Sequence, residues 1–449
     1  MRTLSTSLTN ASTALNKTPL WKVVLSRAAQ STRAYDSSRV IGITELEQPN
    51  SYKADITLQN YDGAISSLDF EHYQAVISLG YATGTARSAR VAASTYAIDD
   101  IVIPPTANGY QYRCSVAGTS GAGTITYPTA LGVTVADSAV TWEMDGNTGD
   151  EYSRISPFRV RSQELHRGRG VQKCILRAVG IPDQLAEDKA TSSIDYTSAE
   201  TATVQAHINS VAGTGLAAYS TYSAYTVTYN STDSIITSFA PTDYYSIKLN
   251  ESRWEKIQKL LDDTGCKIRP EMDGALHVLD PITSGTAYQY EYRFNVATYH
   301  NFWNELVRQR FVEPNREIVA SHPDHEAPQF AGTATSATSY ALAPKTHTTY
   351  RRLTSAAVAN SIASAMIERN ELDAERGIVV APMNVGQELW DYVQLTDSGA
   401  GGTTMVGNVQ FIQRVVEVHQ NGQPLTWATT VSLGKVTQLS LMAALATGG

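Results

Sequence analysis

The chain has 449 residues, room for about three domains of roughly 150 residues each. Hydrophobic residues at 42% and charged residues at 17% specify a folded chain with a polar surface and exclude a disordered one. The net charge of −8 excludes a dedicated nucleic-acid binder, though not a wall past which a polyanion slides.

Cys114, Cys174 and Cys266 are widely spaced and form no CxxC pair, so free thiols and assembly in a reducing compartment are expected. The stretch MRTLSTSLTNASTALNK lacks the apolar core of a secretory signal. No apolar run reaches the length of a membrane span.

Residues 3–16 predict a short amphipathic helix through Leu4, Leu8 and Leu15, and Trp21 to Ser26 a strand. Tyr52, Ala54, Ile56 and Leu58 alternate with polar residues, the period of a half-buried strand. Ala75, Ile77, Leu79 and Tyr81 predict another. From about 94 to 148 charge falls away and Gly, Thr, Ala and Val dominate, as expected of a small all-β module inserted at a loop tip. The strand pattern of the first β-domain resumes after Gly149.

The segment 191–250 is rich in Ser, Thr and Tyr, with a helix expected at about 198–211. A second helix, about 251–263, uses Trp254, Ile257, Leu260 and Leu261. Then comes a hairpin turning at Asp273-Gly274. Tyr288, Tyr290, Tyr292, Phe294 and Val296 form an aromatic strand face, and 328–349 reads as a loop or arm. Residues 354–372 have the period of a helix behind a Ser/Thr start. In the last stretch Leu425, Trp427, Thr429, Val431 and Leu433 alternate with small or polar residues, behind an Asn421-Gly422 turn. The reading is mainly β (α+β), with two β-barrel domains that share no repeat of residue identity.

The ordered blocks SRVIGITELEQPNSYKADITLQNYDGAISSLDF, SPFRVRSQELHRGRGVQKCILRAVGIPDQLAED, LLDDTGCKIRPEMDGALHVLD, YHNFWNELVRQRFVEPNREIV and IERNELDAERGIVVAPMNVGQELWDYVQLTD resemble the tail hub proteins of tailed bacteriophages. The resemblance covers most of the chain outside 94–148. It implies two tail-tube-like barrels per subunit and a homotrimer whose six barrels match a six-fold tube. The expected organisation is an N-terminal segment 1–18, a first barrel 19–93 plus 149–190, the insert 94–148 and a middle α+β domain 191–284. A second barrel, 285–349 plus 373–437, a helix 350–372 and a tail 438–449 follow. The implied partners are a distal tail or tube protein above and tip or fibre proteins below, with viral DNA passing transiently. The implied place is the tip of the virion's tail, after assembly in the host cytoplasm.

TYAIDDIVIPPTANGYQYRCSVAGTSG and YPTALGVTVADSAVTWEMDG resemble small carbohydrate-binding-type modules of phage tail proteins and chitinases. Candidate contacts to a host-surface glycan are Tyr96, Tyr110, Tyr112 and Trp142, since sugar C–H groups stack on aromatic faces. The competing reading makes these aromatics the core of a module of about 55 residues. An adhesin is accordingly the alternative function.

Arg154, Arg159, Arg161, Arg167 and Arg169 crowd one segment of an acidic chain and suit an inter-subunit or lumen contact. Binding DNA tightly there would slow ejection. His322-Pro-Asp-His325 lacks a third metal ligand, and Asp145 to Asp150 lacks the spacing of an EF-hand loop. No hydrolase, Walker or Rossmann signature occurs. A non-enzymatic protein without metal or cofactor is expected.

Overall fold

The computed structural model describes residues 1–435 except 15, 169–170, 214–215, 217, 220–223, 295, 297–298, 308–311, 325–327, 375, 398–402 and 419–423. The Asn421-Gly422 turn, Leu15 and the tail 438–449 lie outside the described residues. Strands take up 42% of the chain and helices 16%, which makes the class mainly β.

One fourteen-stranded sheet organises the chain. Its first eight strands are β1 (Pro19–Ser26), β2 (Arg33–Asp36), β3 (Val40–Gln48), β4 (Ser51–Gln59), β5 (Gln74–Ala82), β6 (Asp150–Arg154), β7 (Phe158–Gly168) and β8 (Val171–Val179). The last six are β9 (Tyr290–Phe294), β10 (Asn304–Val307), β11 (Gly377–Pro382), β12 (Tyr392–Asp397), β13 (Thr403–Val418) and β14 (Pro424–Leu433). The alternation read in β4 holds: Tyr52, Ala54, Ile56 and Leu58 are buried. In β14 the reading of one apolar face is incomplete. Ala428, Thr430 and Ser432 are buried as well as Trp427, Val431 and Leu433, so the alternate positions are small because both faces are covered.

The strand path shows a duplication that residue identity hides. Apart from β2, which pairs with β1, and β6, which pairs with β5, one half runs β3-β4-β8-β7-β5-β1 and the other β10-β11-β14-β13-β12-β9. Ranked by chain order within each half, both read second, third, sixth, fifth, fourth, first. Four of the five pairings in each half are antiparallel throughout. The fifth differs, since β1 runs antiparallel to β5 but β9 runs parallel to β12. The halves meet where β3 pairs with the distal part of β13. They share one core, in which Trp427 of β14 lies 5.8 Å from Trp21 of β1 and donates to the Tyr81 hydroxyl of β5 at 2.9 Å.

Of the seven α-helices among the described residues, the five longest divide between the core of this sheet and a second core. Helix α1 (Thr6–Thr13) is capped by Ser5 and buries Leu8 against the shared core. Helices α2 (Ile181–Glu187), α3 (Val204–Ala212), α4 (Arg253–Leu261) and α5 (Ala356–Asp373) belong to a second core. Ser252 and Glu255 form a reciprocal capping box on α4, and Ser355 caps α5. The hairpin Lys267–Pro270 with Leu276–Leu279 turns at Asp273-Gly274, where Gly274 has φ of 76°.

Residues 328–349 are not an arm. Ala331–Thr335 and Thr346–Arg351 flank Arg316–Ser321 in a three-stranded sheet. The small side chains that suggested a loop serve close packing instead. A Cβ on Gly332 would lie 2.2 Å from the backbone nitrogen of Asn360 in α5. This sheet and α5 contribute Val319, Ala359, Ile362 and Met366 to the second core.

Residues 101–147 carry a third core on a four-stranded sheet, ordered Thr134–Asp137, Val140–Asn147, Tyr110–Val116, Ile101–Val102. No helix among the described residues is long and apolar enough to cross a membrane.

Candidate functional site

The junction between the two halves is built from charge buried inside the sheet. Glu45 and Glu47 lie two residues apart on β3 and so share a face. Arg414 stands directly opposite Glu45 on β13. Its guanidinium is fully buried and donates to Glu45 at 2.8 Å and to Glu47 at 2.7 Å. Burial pushes the Glu45 carboxyl well above the usual range. Glu47 meets the same burial, but Arg414 and Arg2 outweigh it and hold its carboxyl low.

The network continues outward. Arg2 reaches Glu47 at 3.6 Å and Glu388 at 3.3 Å. Arg269, in the hairpin at 267–279, reaches Glu388 at 2.9 Å and Asp391 at 3.4 Å. One set of alternating charges thus ties the N-terminal segment, both halves and the middle region. Every carboxylate named here faces a guanidinium, an arrangement suited to fixing orientation. Sequence reasoning missed these residues. The available signal was an arginine inside the apolar alternation Ile412, Arg414, Val416, matched by an acidic pair on β3.

The insert is clamped to the first half by similar means. Lys22 of β1 is buried and pairs with Asp145 at 2.6 Å. Arg154 of β6 pairs with Asp99 of the insert, and Arg113 braces Asp99 and Glu143 from within the insert at 3.1 and 2.6 Å. A cleft of about 390 Å³ lies along this seam, between the N-terminal segment, the insert and the 269–272 turn.

Of the aromatic candidates, Tyr112 and Trp142 are fully buried and cannot offer a face to a sugar. The Tyr112 hydroxyl donates to the Pro128 carbonyl, and the Trp142 indole to Asp137, which also holds Arg90. Tyr96 packs edge-on against Trp142 at 4.8 Å, and Tyr110 is half-buried. The burial has the physical reason anticipated: a small module needs its aromatics inside.

The arginine segment does not act as one patch. Arg154 is spent on Asp99 at the insert seam and Arg161 on Glu187. Arg159 is half-buried beside a cleft that also holds His72 and Tyr225. Arg167 is exposed near the tip of the β7–β8 hairpin and makes no ion pair among the described residues; Arg169 lies outside them.

His322 is exposed and His325 lies outside the described residues. Asp145 of the calcium-like loop faces the Lys22 ammonium, and Asp150 caps its own turn through the Asn147 amide. Among the described residues no group of three or more His, Cys, Asp or Glu could hold a metal. All three cysteines are buried, and burial raises the thiols of Cys174 and Cys266 to about 11, which leaves them protonated near neutral pH.

No protein-family model matches the chain, and no curated protein matches it. Solved structures do. The chain is similar to the tail protein from Neisseria meningitidis MC58, at 9% identity over 93% of this chain and 96% of that one, with a TM-score of 0.53. It is similar to the 43 kDa tail protein of prophage MuSo2 from Shewanella oneidensis, at 10% identity over 92% and 98%, TM-score 0.46. It is also similar to the prophage tail protein gp18 from Listeria monocytogenes EGD-e, at 10% identity over 95% and 98%, TM-score 0.46. The first of these carries the conclusion: over nearly its whole length the chain shares the fold of that tail protein.

Proposed function

We propose that the chain is a structural component of a phage tail, a hub subunit that forms a three-membered ring at the distal end of the tail tube. The observation that supports this best is the duplicated six-strand path. A subunit with two equivalent β-units lets three copies present six, the number a six-fold tube requires. The buried Arg414 junction supports the same reading, because it holds the two units of a subunit at one fixed angle. On this reading the ring meets a tube protein above and tip or fibre proteins below, and viral DNA leaves through its centre. Its work is geometric, not catalytic.

Two measurements test this. Native mass spectrometry of the purified chain should give a trimer. Gold-labelled antibody on intact tails should mark the distal end. A six-membered ring, or label distributed along the tail, overturns the proposal.

The adhesin alternative rests on Tyr96 and Tyr110, since Tyr112 and Trp142 are occupied in the core of the insert. A glycan array probed with the full chain separates the readings. Binding abolished by Tyr96→Ala supports a lectin role. An empty array leaves the insert as a decoration or docking surface for another tail protein.

A further inference from the structure

Each long strand of the duplicated units is split by a bulge. In β13 the register with β14 shifts between Val409 and Phe411. Before the bulge, Thr403–Asn408 pair with β12 of the same unit. After it, Ile412–Glu417 pair with β3 of the other unit. In β7 the register with β8 shifts between Val160 and Ser162. Before that bulge, Phe158 and Arg159 pair with β5. After it, Gln163–Gly168 pair with β8 and, among the described residues, with no other strand. The counterpart of β3 in the second half is β10, which pairs with β11 and, among the described residues, with no other strand. Each subunit therefore holds one filled joint and the two complementary halves of another.

We infer that β7 Gln163–Gly168 of one subunit pairs antiparallel with β10 of the next, so that three copies of this chain close head to tail through copies of their own internal joint. The inference rests on the trimer reading above and names the surface that makes it.

The register follows from the internal joint. Aligning the bulges matches Leu165 with Arg414 and Arg167 with Val416. Stepping across the sheet through β8 and β4, and through β14 and β11, matches Glu305 with Ile43 and Val307 with Glu45. Within the subunit Arg414 faces Glu45 and Val416 faces Ile43. Between subunits Leu165 then faces Val307, and Arg167 faces Glu305.

The side chains suit this pairing. Leu165 is 40% exposed where its counterpart Arg414 is covered by β3. Arg167 is an exposed cation without an ion pair among the described residues. Glu305 has Asp397 as its charged neighbour, so burial and this like charge hold its carboxyl above the usual range. An arginine from another subunit relieves that repulsion. Trp303, 59% exposed, sits beside β10 and supplies apolar area to the same contact. An open strand edge is a pairing template, and a heterologous contact that closes makes a ring.

The test uses the full chain carrying Arg167→Cys and Glu305→Cys. Facing Cα atoms in an antiparallel pair are about 4.5–5.5 Å apart, within disulfide reach. The native cysteines are buried and do not compete. Mild oxidation should give covalent dimers and trimers on a non-reducing gel, and each single variant none. In a second arm, Arg167→Glu should weaken trimer formation by about threefold to tenfold per interface, and adding Glu305→Arg should restore it. A trimer by native mass that neither cross-links nor responds to the charge swap overturns this interface while the hub reading stands. A chain that stays monomeric and uncross-linked overturns both. Covalent species larger than a trimer overturn the closed ring.

Discussion

Replacing Arg414 by Met isolates the charge at the junction between the two halves. Arg414 is 0% exposed, and its guanidinium holds Glu45 at 2.8 Å and Glu47 at 2.7 Å. Methionine fills most of the volume, so the main loss is electrostatic. Glu47 keeps Arg2 at 3.6 Å, whereas the second oxygen of Glu45 already lacks a hydrogen-bond partner. Glu45 would be left buried without a counter-charge. Removing one side of a buried ion pair costs about 3–5 kcal/mol, and that is the loss expected at pH 7 in urea unfolding followed by tryptophan fluorescence.

The dependence on pH has a definite sign. In the parent, Glu47 is depressed, so its contribution is present above the unfolded carboxyl value near ~4.3 and is lost as pH falls through the folded value. Glu45 is raised and acts in the opposite sense. Without Arg414 both carboxyls are governed more by burial, and the folded variant takes up protons more readily than the parent. The deficit should be largest at pH 7 and shrink as pH falls through the raised carboxyl values of the variant towards the depressed Glu47 value of the parent. Glu45→Gln in the Arg414→Met background should recover more than half of it. A loss below about 1 kcal/mol at pH 7, or one equal at pH 4 and pH 7, would refute the argument that an uncompensated charge sets the cost.

Trp427→Ala removes an indole packed against Trp21 and Tyr81 across the two halves and should cost about 3–5 kcal/mol in the same assay. Gly332→Val should lower the melting temperature and detach α5 from its sheet, seen as faster amide exchange over 356–373, because its Cβ meets backbone and not a movable side chain. His300 is buried between the Tyr290 hydroxyl and the Pro382 carbonyl, and burial lowers its value to about 3. A base depressed in the folded state loses stability as pH falls from the unfolded value near ~6.5 towards the folded one, at up to about 1.4 kcal/mol per pH unit. His300→Gln should flatten that part of the stability curve, and an unchanged slope would remove His300 as its cause.

The short-range features of the fold were legible. The alternation in β4, the turn at Asp273-Gly274 and the period of α5 each depend on a few neighbouring residues. What was missed depends on residues far apart in the chain. Glu45 and Arg414 are separated by 369 positions, so neither shows its partner in a local pattern. The stretch 328–349 was misread because glycine, alanine and threonine favour loops locally but also permit a helix to lie directly on a strand. Composition could nominate Tyr112 and Trp142 as ligand or core, yet only the sheet order put them inside. The duplication itself leaves no repeat of residue identity and is visible only as an order of hydrogen-bonded strands.

In the ring proposed above, the two joints differ in a way their roles require. Within the subunit β3 and β13 belong to one chain, so their contact forms during folding, and Arg414 is never left without Glu45 and Glu47. That permits charges to be buried completely. On the proposed assembly, the matching edges of β7 and β10 must stay soluble until another subunit arrives. A buried-type charge there would stand unpaired in the free subunit, or would resist desolvation on assembly. The edge of β7 instead carries Leu165 and Arg167, tolerable in water and able to pair, and a charged residue on an open edge also discourages indiscriminate strand addition. The divergence at the matched positions Arg414 and Leu165 is therefore what a duplicated unit needs when one copy of a contact is permanent and the other is made on assembly.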